Sequence, residues 1–108
     1  MSDANRPAKL TEEIQHHAAD FFAREANRNS IITITRAELS GNQKNITVFF
    51  SVMPEAEEVR ALTFMKRKRN DFIIYLRRHS RVGMLPKLDF AIDMGEKNRQ
   101  RIDDLTRT

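Results

Sequence analysis

The residues best suited to chemistry in this sequence are arginines and lysines concentrated in one stretch. Positions 66 to 87 hold eight basic side chains and one acidic side chain, a net charge of +7, while the remaining positions together carry −3. The eight are Lys66, Arg67, Lys68, Arg69, Arg77, Arg78, Arg81 and Lys87. Such segregated positive charge is typical of a polyanion-binding surface, because guanidinium and ammonium groups replace the counterions condensed on phosphate. The alternative is an ordinary solvated helix face, on which the two signs of charge are usually mixed.

The other residue types that could support chemistry lack the arrangement it requires. The chain has no cysteine, which excludes disulfides, thiolate metal sites and cysteine nucleophiles. His16 and His17 are adjacent and point to different sides of a helix, so they cannot chelate a metal as an i, i+4 pair does. The serines have no evident His and Asp partners for nucleophilic catalysis. We therefore predict no enzymatic activity, no metal, no cofactor and no small-molecule substrate.

The length of the chain, 108 residues, is enough for one domain and too short for two. No apolar run approaches the ~20 residues that span a bilayer. The first residues also lack the basic and then apolar layout of a signal peptide. We therefore expect a soluble, cytoplasmic protein with no membrane partner, and we expect it to be a monomer.

The spacing of apolar residues in the first half of the chain predicts one helix followed by two strands. After a flexible start at residues 1–9, apolar residues spaced by three and four predict a helix from Leu10 to about Asn27, with Thr11 as its N-cap. The β-branched segments 31–39 and 45–53 predict two strands. A turn at residues 40–43 lies between the two strands and makes them an antiparallel hairpin.

The basic stretch itself is predicted to be two helices rather than one. Residues 55–82 have a helical composition, but Lys66 and Arg69 would project into the apolar stripe of a single straight helix. Burying either charge unpaired would cost several kcal/mol. A break at residues 69–71, with Asn70 or Asp71 capping a second helix from Phe72, would turn residues 66–69 outward. Gly83 is expected to end that second helix.

The last part of the chain predicts a third strand and a short helix. Leu88, Phe90 and Ile92 alternate with polar or small residues after Pro86. Asp89 and Asp93 are expected to keep this strand soluble as an edge strand. The order α-β-β-α-α-β with a C-terminal helix predicts an α+β fold, a three-stranded sheet with helices on one face. We divide the chain into a domain at residues 10–93 and a helical tail at 94–108.

Three aromatic side chains could stack on bases or could pack. Tyr75 and Phe64 face outward on the predicted helices, and for each a half-buried packing role is at least as well supported as a contact with RNA. Phe49 points away from Phe50 and would stack if open to solvent. We favour packing for Phe49, under the C-terminal helix.

The predicted element order is the type II K-homology arrangement, and several segments sharpen the comparison. They are Ile32-Thr33-Ile34-Thr35, Leu39-Ser40, Val48-Phe49-Phe50-Ser51-Val52, Glu55-Ala56-Glu57-Glu58, Phe72-Ile73, Leu85-Pro86-Lys87-Leu88-Asp89-Phe90 and, after Gly95, Arg101-Ile102-Asp103-Asp104-Leu105. In this order and spacing they resemble the ribosome-binding factor A family, from about Lys9 to Leu105. The resemblance implies a K-homology fold without the Gly-x-x-Gly loop that clamps RNA in other members. It also implies binding to small-subunit ribosomal RNA near its 3′ end and a role in late maturation of that subunit.

The sequence departs from the family pattern at two places. The family usually has a small Ala-x-Gly pair at the break between the helices, where this chain has Arg69-Asn70-Asp71. The family also usually has Asp-Pro-Arg before the first strand, where this chain has residues 27–30. The first departure makes the break more basic.

Three hypotheses for function follow. The first is an assembly factor that binds precursor small-subunit RNA through the eight basic residues. The second is a protein-interaction module whose basic face binds an acidic protein partner. The third, binding to double-stranded DNA, is disfavoured because no recognition helix is followed by a second basic arm.

Overall fold

The computed structural model describes residues 6–25 and 29–106. Its elements are α1 (Arg6–Glu25), β1 (Ile31–Leu39), β2 (Asn45–Met53), one 3₁₀ turn (Glu55–Glu57), α2 (Glu58–Arg67), α3 (Arg69–His79), β3 (Lys87–Ile92) and α4 (Met94–Thr106). The predicted α+β order is confirmed, and both strands of the hairpin have the predicted bounds.

The sheet has the strand order β1-β2-β3, so β2 is central and the other two strands form the edges. β1 and β2 are antiparallel, with Ile31 opposite Met53 at one end. β2 and β3 are parallel and paired from Asn45 opposite Lys87 onward. The register of the hairpin shifts at Thr35, which is an extra residue in β1 and forms a bulge.

The core lies between one face of the sheet and the helices. The alternate residues of β2, namely Ile46, Val48, Phe50 and Val52, are buried, as are Leu88 and Phe90 of β3. The predicted stripe of α1 supplies Ile14, Ala18, Phe21 and Phe22 to the same core, and the basic helices supply Ala61, Met65, Phe72 and Leu76. The ring of Phe22 lies 5.5 Å from that of Phe72 and 5.3 Å from that of Phe90, so one aromatic cluster joins α1, α3 and β3.

The first helix begins at Arg6, four residues before its predicted start. Pro7 therefore lies in the first turn, where a missing backbone N–H has no cost. Thr11 is inside the helix, and its hydroxyl donates to the carbonyls of Pro7 at 3.2 Å and Ala8 at 3.0 Å. The predicted N-cap role of Thr11 is wrong, and residues 6–9 of the predicted flexible start are helical. Residues 1–5, and 27 and 28 of the predicted loop, lie outside the described residues.

The predicted break between two basic helices is confirmed, but it falls at Lys68, where φ is −86° and ψ is 2°. Backbone hydrogen bonds continue across it, from Lys68 N to Phe64 O at 3.0 Å and from Phe72 N to Lys68 O at 2.9 Å. Because few amide groups lose their helical partners, no side-chain cap forms, and the predicted capping by Asn70 or Asp71 is wrong.

The second helix of the pair ends at His79 and not near Gly83. Both the backbone N–H and the hydroxyl of Ser80 donate to the carbonyl of Leu76, at 2.9 Å and 2.7 Å. Ser80 thus closes the helix, and the predicted role of Gly83 as its C-terminal glycine is wrong.

Asp93 is a buried carboxylate, only 5% exposed, and not a residue of a solvated edge as predicted. It accepts hydrogen bonds from the Thr35 hydroxyl at 2.6 Å, from Arg36 Nε at 3.2 Å and from the backbone N–H of Glu96 at 3.0 Å. One side chain therefore joins the bulge of β1 to the end of β3 and caps α4. Asp89 is exposed on the edge strand β3, as predicted.

The start of α4 is held by a second set of polar contacts. Lys97 Nζ lies 2.7 Å from Glu55 Oε1 and 2.9 Å from Glu58 Oε1. The hydrogen bonds to Glu55 and Glu58 raise the pKa of Lys97. The first turn of α4 is thereby tied to the start of α2.

The titration of Asp93 links this arrangement to pH. Burial alone would raise the pKa of Asp93, but hydrogen bonds from Thr35, from the Glu96 amide and from Arg36 outweigh burial and hold the pKa below its ordinary value. A carboxylate with a lowered folded-state pKa stabilises the fold above its unfolded pKa of about 3.9, and that contribution is lost as the pH falls.

We therefore predict that Asp93→Asn lowers the free energy of unfolding by about 1–3 kcal/mol at pH 7, because a charged acceptor of three hydrogen bonds is lost. The difference from the parent protein should shrink as the pH falls below about 4, because the carboxyl group of the unfolded parent chain is protonated there first and that of the folded protein follows at lower pH. Urea unfolding at pH 7 and pH 3 measures both effects. Asp89→Asn is the matched control and should stay within about 0.5 kcal/mol. A penalty for Asp93→Asn that does not change with pH would contradict the linkage.

Candidate nucleic-acid interface

The eight predicted basic residues lie on three consecutive pieces of the chain. Lys66 and Arg67 form the last turn of α2, Lys68 is the break, and Arg69 begins α3. Arg77 and Arg78 lie in the last turn of α3. Arg81 follows in the connection to β3, and Lys87 is the first residue of that strand.

Three of the eight converge on a groove between α3 and β3, called here the α3–β3 groove. Its volume is about 250 Å³, and Arg69, Arg77 and Lys87 line it. Positions 69 and 77 are two turns apart on the same side of α3, with Ile73 between them. Pro86 and the pairing of Lys87 with β2 place the lysine on the opposite wall. The groove thus combines three cations with an apolar floor.

Two others, Arg78 and Arg81, lie on the other side of α3. They line a separate cleft against the first turns of α1, called here the α1–α3 cleft, together with Lys9. Lys66 and Arg67 line neither depression and are exposed at the end of α2. The eight residues therefore do not form one uniform patch.

Arg69 does not turn outward as predicted. Its side chain is half-buried, and Nη1 donates to the carbonyl oxygen of Leu88 in β3 at 3.3 Å. The physical reason is the position of the break: it falls before Arg69, so this residue begins α3 and faces the strand. Lys68 is also half-buried, with Nζ 3.8 Å from Asp71 Oδ2.

The other six basic residues are exposed and available to a partner. They are Lys66, Arg67, Arg77, Arg78, Arg81 and Lys87. Among the side chains that the structure describes, no carboxylate oxygen lies within 4.0 Å of their charged nitrogens. A partner anion would therefore not have to displace an internal ion pair from them.

The aromatic side chains near these cations serve packing. The Tyr75 ring lies 5.3 Å from that of Phe21 and stacks on His79 at 4.1 Å. Phe64 is half-buried with its ring 6.5 Å from that of Phe22. Phe49 lies on the sheet face opposite the core, and its ring is covered by Arg36 of β1, whose Cζ is 3.9 Å from the ring centroid. The cover shown for Phe49 is thus a side chain of the neighbouring strand, and the predicted packing under the C-terminal helix stays a prediction.

Lys9 is the basic residue of these depressions that sequence reasoning missed. The apolar stripe predicts a helix only from Leu10 and so leaves Lys9 in the flexible start. Pro7 was the signal that could have extended the helix, since proline is favoured in a first helical turn.

The architecture identifies the class of protein. The chain has the order α-β-β-α-α-β, a mixed three-stranded sheet and a bent pair of helices, and it is therefore a K-homology-like α+β protein. Two solved structures share this fold. The crystal structure of ribosome-binding factor A from Thermus thermophilus superposes with a TM-score of 0.67 at 22% identity, covering 80% of this chain and 94% of that one. The solution NMR structure of a Thermotoga maritima protein gives a TM-score of 0.65 at 22% identity over 84% of this chain and 90% of that one.

The family follows from sequence comparison. The family model for ribosome-binding factor A matches residues 6–106. A ribosome-binding factor A of Anaeromyxobacter sp. (strain Fw109-5) is 32% identical over 109 residues, which is 97% of this chain and 89% of that protein. The chain belongs to the ribosome-binding factor A family, and the resemblance noted in the sequence is confirmed.

Membership of this family indicates a role associated with the ribosome, and the family is one of binding factors rather than enzymes. No helix within residues 6–25 and 29–106 is both long enough and apolar enough to cross a membrane.

The contact of Arg69 with β3 predicts a structural role that the exposed arginines do not have. Arg69→Ala should lower the free energy of unfolding by about 1–2 kcal/mol, because the Leu88 carbonyl loses a charged donor. Arg77→Ala, on the same side of α3 but exposed, is the matched control and should change it by less than about 0.5 kcal/mol. Urea denaturation of the two variants measures the difference. Equal stabilities would show that the hydrogen bond contributes nothing.

Proposed function

We propose that this protein binds the RNA of the small ribosomal subunit through the exposed cations of α2, α3 and β3, and that it assists late maturation of that subunit. The observation that carries the proposal is the set of six exposed basic residues without a carboxylate partner among the described side chains. Family membership supplies the ribosome as the context for this surface.

The chemistry of the surface suits a phosphate backbone better than base edges. Arginines and lysines neutralise phosphate whatever the sequence, and the release of counterions drives the association. The aromatic rings of Tyr75 and Phe64 are engaged within the protein. Recognition therefore rests on the shape of a folded RNA, which sets where phosphates lie.

The break between α2 and α3 suggests how this chain can bind RNA without a glycine loop. In a Gly-x-x-Gly loop the backbone itself approaches the RNA closely. The three glycines of this chain are Gly41, Gly83 and Gly95, and the break is formed by Lys68 with Arg69 after it. Contact with RNA is thus made by long side chains, so it depends strongly on salt and is readily reversed. Such contact suits a factor that leaves once maturation is complete.

The leading test uses binding to purified small subunits, measured by sedimentation over a range of salt. We expect a slope of log affinity against log salt of roughly −3 to −5, as for four to six phosphate contacts. The double variant Arg67→Gln with Arg77→Gln should weaken binding roughly 10- to 30-fold at about 0.15 M salt and make the slope less steep by about 2.

The matched control is Arg24→Gln with Arg99→Gln, which changes the net charge equally on α1 and α4. It should leave binding close to that of the parent protein. Undiminished binding of the Arg67 and Arg77 variant would refute the proposal. Binding that survives nuclease treatment of the partner would instead favour the alternative, an acidic protein partner.

A further inference from the structure

The α1–α3 cleft is a second concentration of positive charge, separate from the α3–β3 groove. It is an open depression of about 950 Å³ lined by Lys9, Glu13, Arg78, His79, Ser80 and Arg81. Three of these are cations and one is a carboxylate, so the cleft has a net charge of +2 with His79 neutral. Lys9 and Glu13 come from α1, which contributes nothing to the surface proposed above.

The helical geometry of α3 separates the two depressions. Arg77 and Arg78 are consecutive, and consecutive residues of a helix point about 100° apart. Arg77 lines the α3–β3 groove, and Arg78 lines the α1–α3 cleft. Each arginine therefore contributes its charge to a different depression.

The end of α3 brings Arg81 to the same cleft as Arg78. The hydroxyl of Ser80 donates to the Leu76 carbonyl at 2.7 Å and accepts from Val82 N at 3.3 Å, which fixes the turn that follows the helix. Arg81 lies between these two anchored positions. Arg81 lines the cleft although it lies outside the helix.

The wall of the cleft is also built from packed groups. The His79 ring stacks on Tyr75 with an interplanar angle of 22°, and His79 Nδ1 is 3.0 Å from the Tyr75 carbonyl oxygen. Tyr75 in turn contacts Phe21 of the core. A wall that is already packed loses little freedom when an anion binds beside it.

We propose that the α1–α3 cleft binds a second segment of RNA backbone, so that α3 lies between two segments, one in the cleft and one in the α3–β3 groove. The phosphates of the second segment are bound by Lys9, Arg78 and Arg81. This inference rests on the proposed function. It adds that the protein selects a folded RNA with two neighbouring backbone segments.

The ridge between the two depressions fits this arrangement. Ile74 is 50% exposed and lies one turn before Arg78 on the outer side of α3. The ridge has the width of a helix, about 10 Å. A single extended strand can follow one depression but reaches the other only by turning sharply around the ridge. A folded RNA with two neighbouring backbone segments can occupy both at once.

The two α1 residues of the cleft, Lys9 and Glu13, carry opposite charges, so removing each charge should change RNA affinity in the opposite direction. For folded RNA, Lys9→Gln should weaken binding to purified small subunits by roughly fivefold at about 0.15 M salt and reduce the salt slope by about 1. Glu13→Gln should strengthen the same binding by a few-fold, because it removes the carboxylate that faces the phosphates. A short oligouridine strand occupies one depression at a time and can use the α3–β3 groove instead of the cleft, so both variants should change its binding much less than they change binding to small subunits.

Each variant has a matched control on α1. Arg24→Gln removes a positive charge near the end of the helix. Glu12→Gln removes a negative charge next to Glu13. Glu12 lines the groove against β1, as Lys9 and Glu13 also do, but it does not line the cleft. The far-ultraviolet circular dichroism of all four variants should equal that of the parent protein.

The outcomes separate the inference from the function on which it rests. If Lys9→Gln and Glu13→Gln bind small subunits no differently from their controls while the Arg67 and Arg77 variant is weakened, the cleft is not an RNA site and the inference fails alone. If the Arg67 and Arg77 variant is not weakened, the proposed function fails. Opposite effects of Lys9→Gln and Glu13→Gln on binding to small subunits, and much smaller effects on binding of oligouridine, support the second segment. Effects of equal size on both would contradict it.

Discussion

The parallel pairing of β2 with β3 is the constraint on which the rest of the structure depends. A parallel pair cannot be joined by a tight turn, so the chain must return along the whole length of the sheet before β3 can begin. The return is made by α2 and α3, whose apolar sides close the core against α1 and the strands. The opposite sides of the same two helices must then face solvent, and these sides hold four of the eight basic residues, namely Lys66, Arg67, Arg77 and Arg78. The arrangement that completes the sheet therefore also displays the cations.

The strands of the hairpin could be predicted to the residue, because local alternation decides which of their faces is buried. The errors at Thr11, Gly83 and Asp93 have another origin. Each residue type has a strong local preference, for an N-cap, a helix end or a solvated edge, and in each case tertiary contacts or a neighbouring group overrode it. Ser80 ended α3 before Gly83 was reached. Asp93 was buried because a hydroxyl, a guanidinium and the first turn of α4 supply enough donors to outweigh the loss of water. The sequence contains these donors but does not show that they meet.

The sequence predicted which residues make up the basic surface, but it predicted less well where their side chains lie. The break between the helices follows from the cost of burying a charge in an apolar stripe, but its position depends on where α3 meets β3, and local spacing does not show a contact between distant segments. Arg69 is bound to Leu88, and the exposed cations divide around α3. The guanidinium of Arg69 thus links α3 to β3 by a hydrogen bond. Lys9 lies beside Arg78 and Arg81 in the cleft, and it belongs to α1 because that helix begins earlier than its apolar stripe indicates.

The division of charge bears on how such a surface could be selective. At about 0.15 M salt each phosphate contact contributes about 1 kcal/mol through counterion release, so six contacts give about 6 kcal/mol and a Kd of the order of 10⁻⁴ to 10⁻⁵ M. That is the strength of non-specific binding to any nucleic acid. Selectivity must come from geometry, since a segment seated in one depression uses only part of the available cations. In the proposed binding mode, an RNA whose fold presents two backbone segments about one helix diameter apart engages the cations of both depressions, and an RNA that loses this spacing loses roughly half of that contribution to the binding free energy.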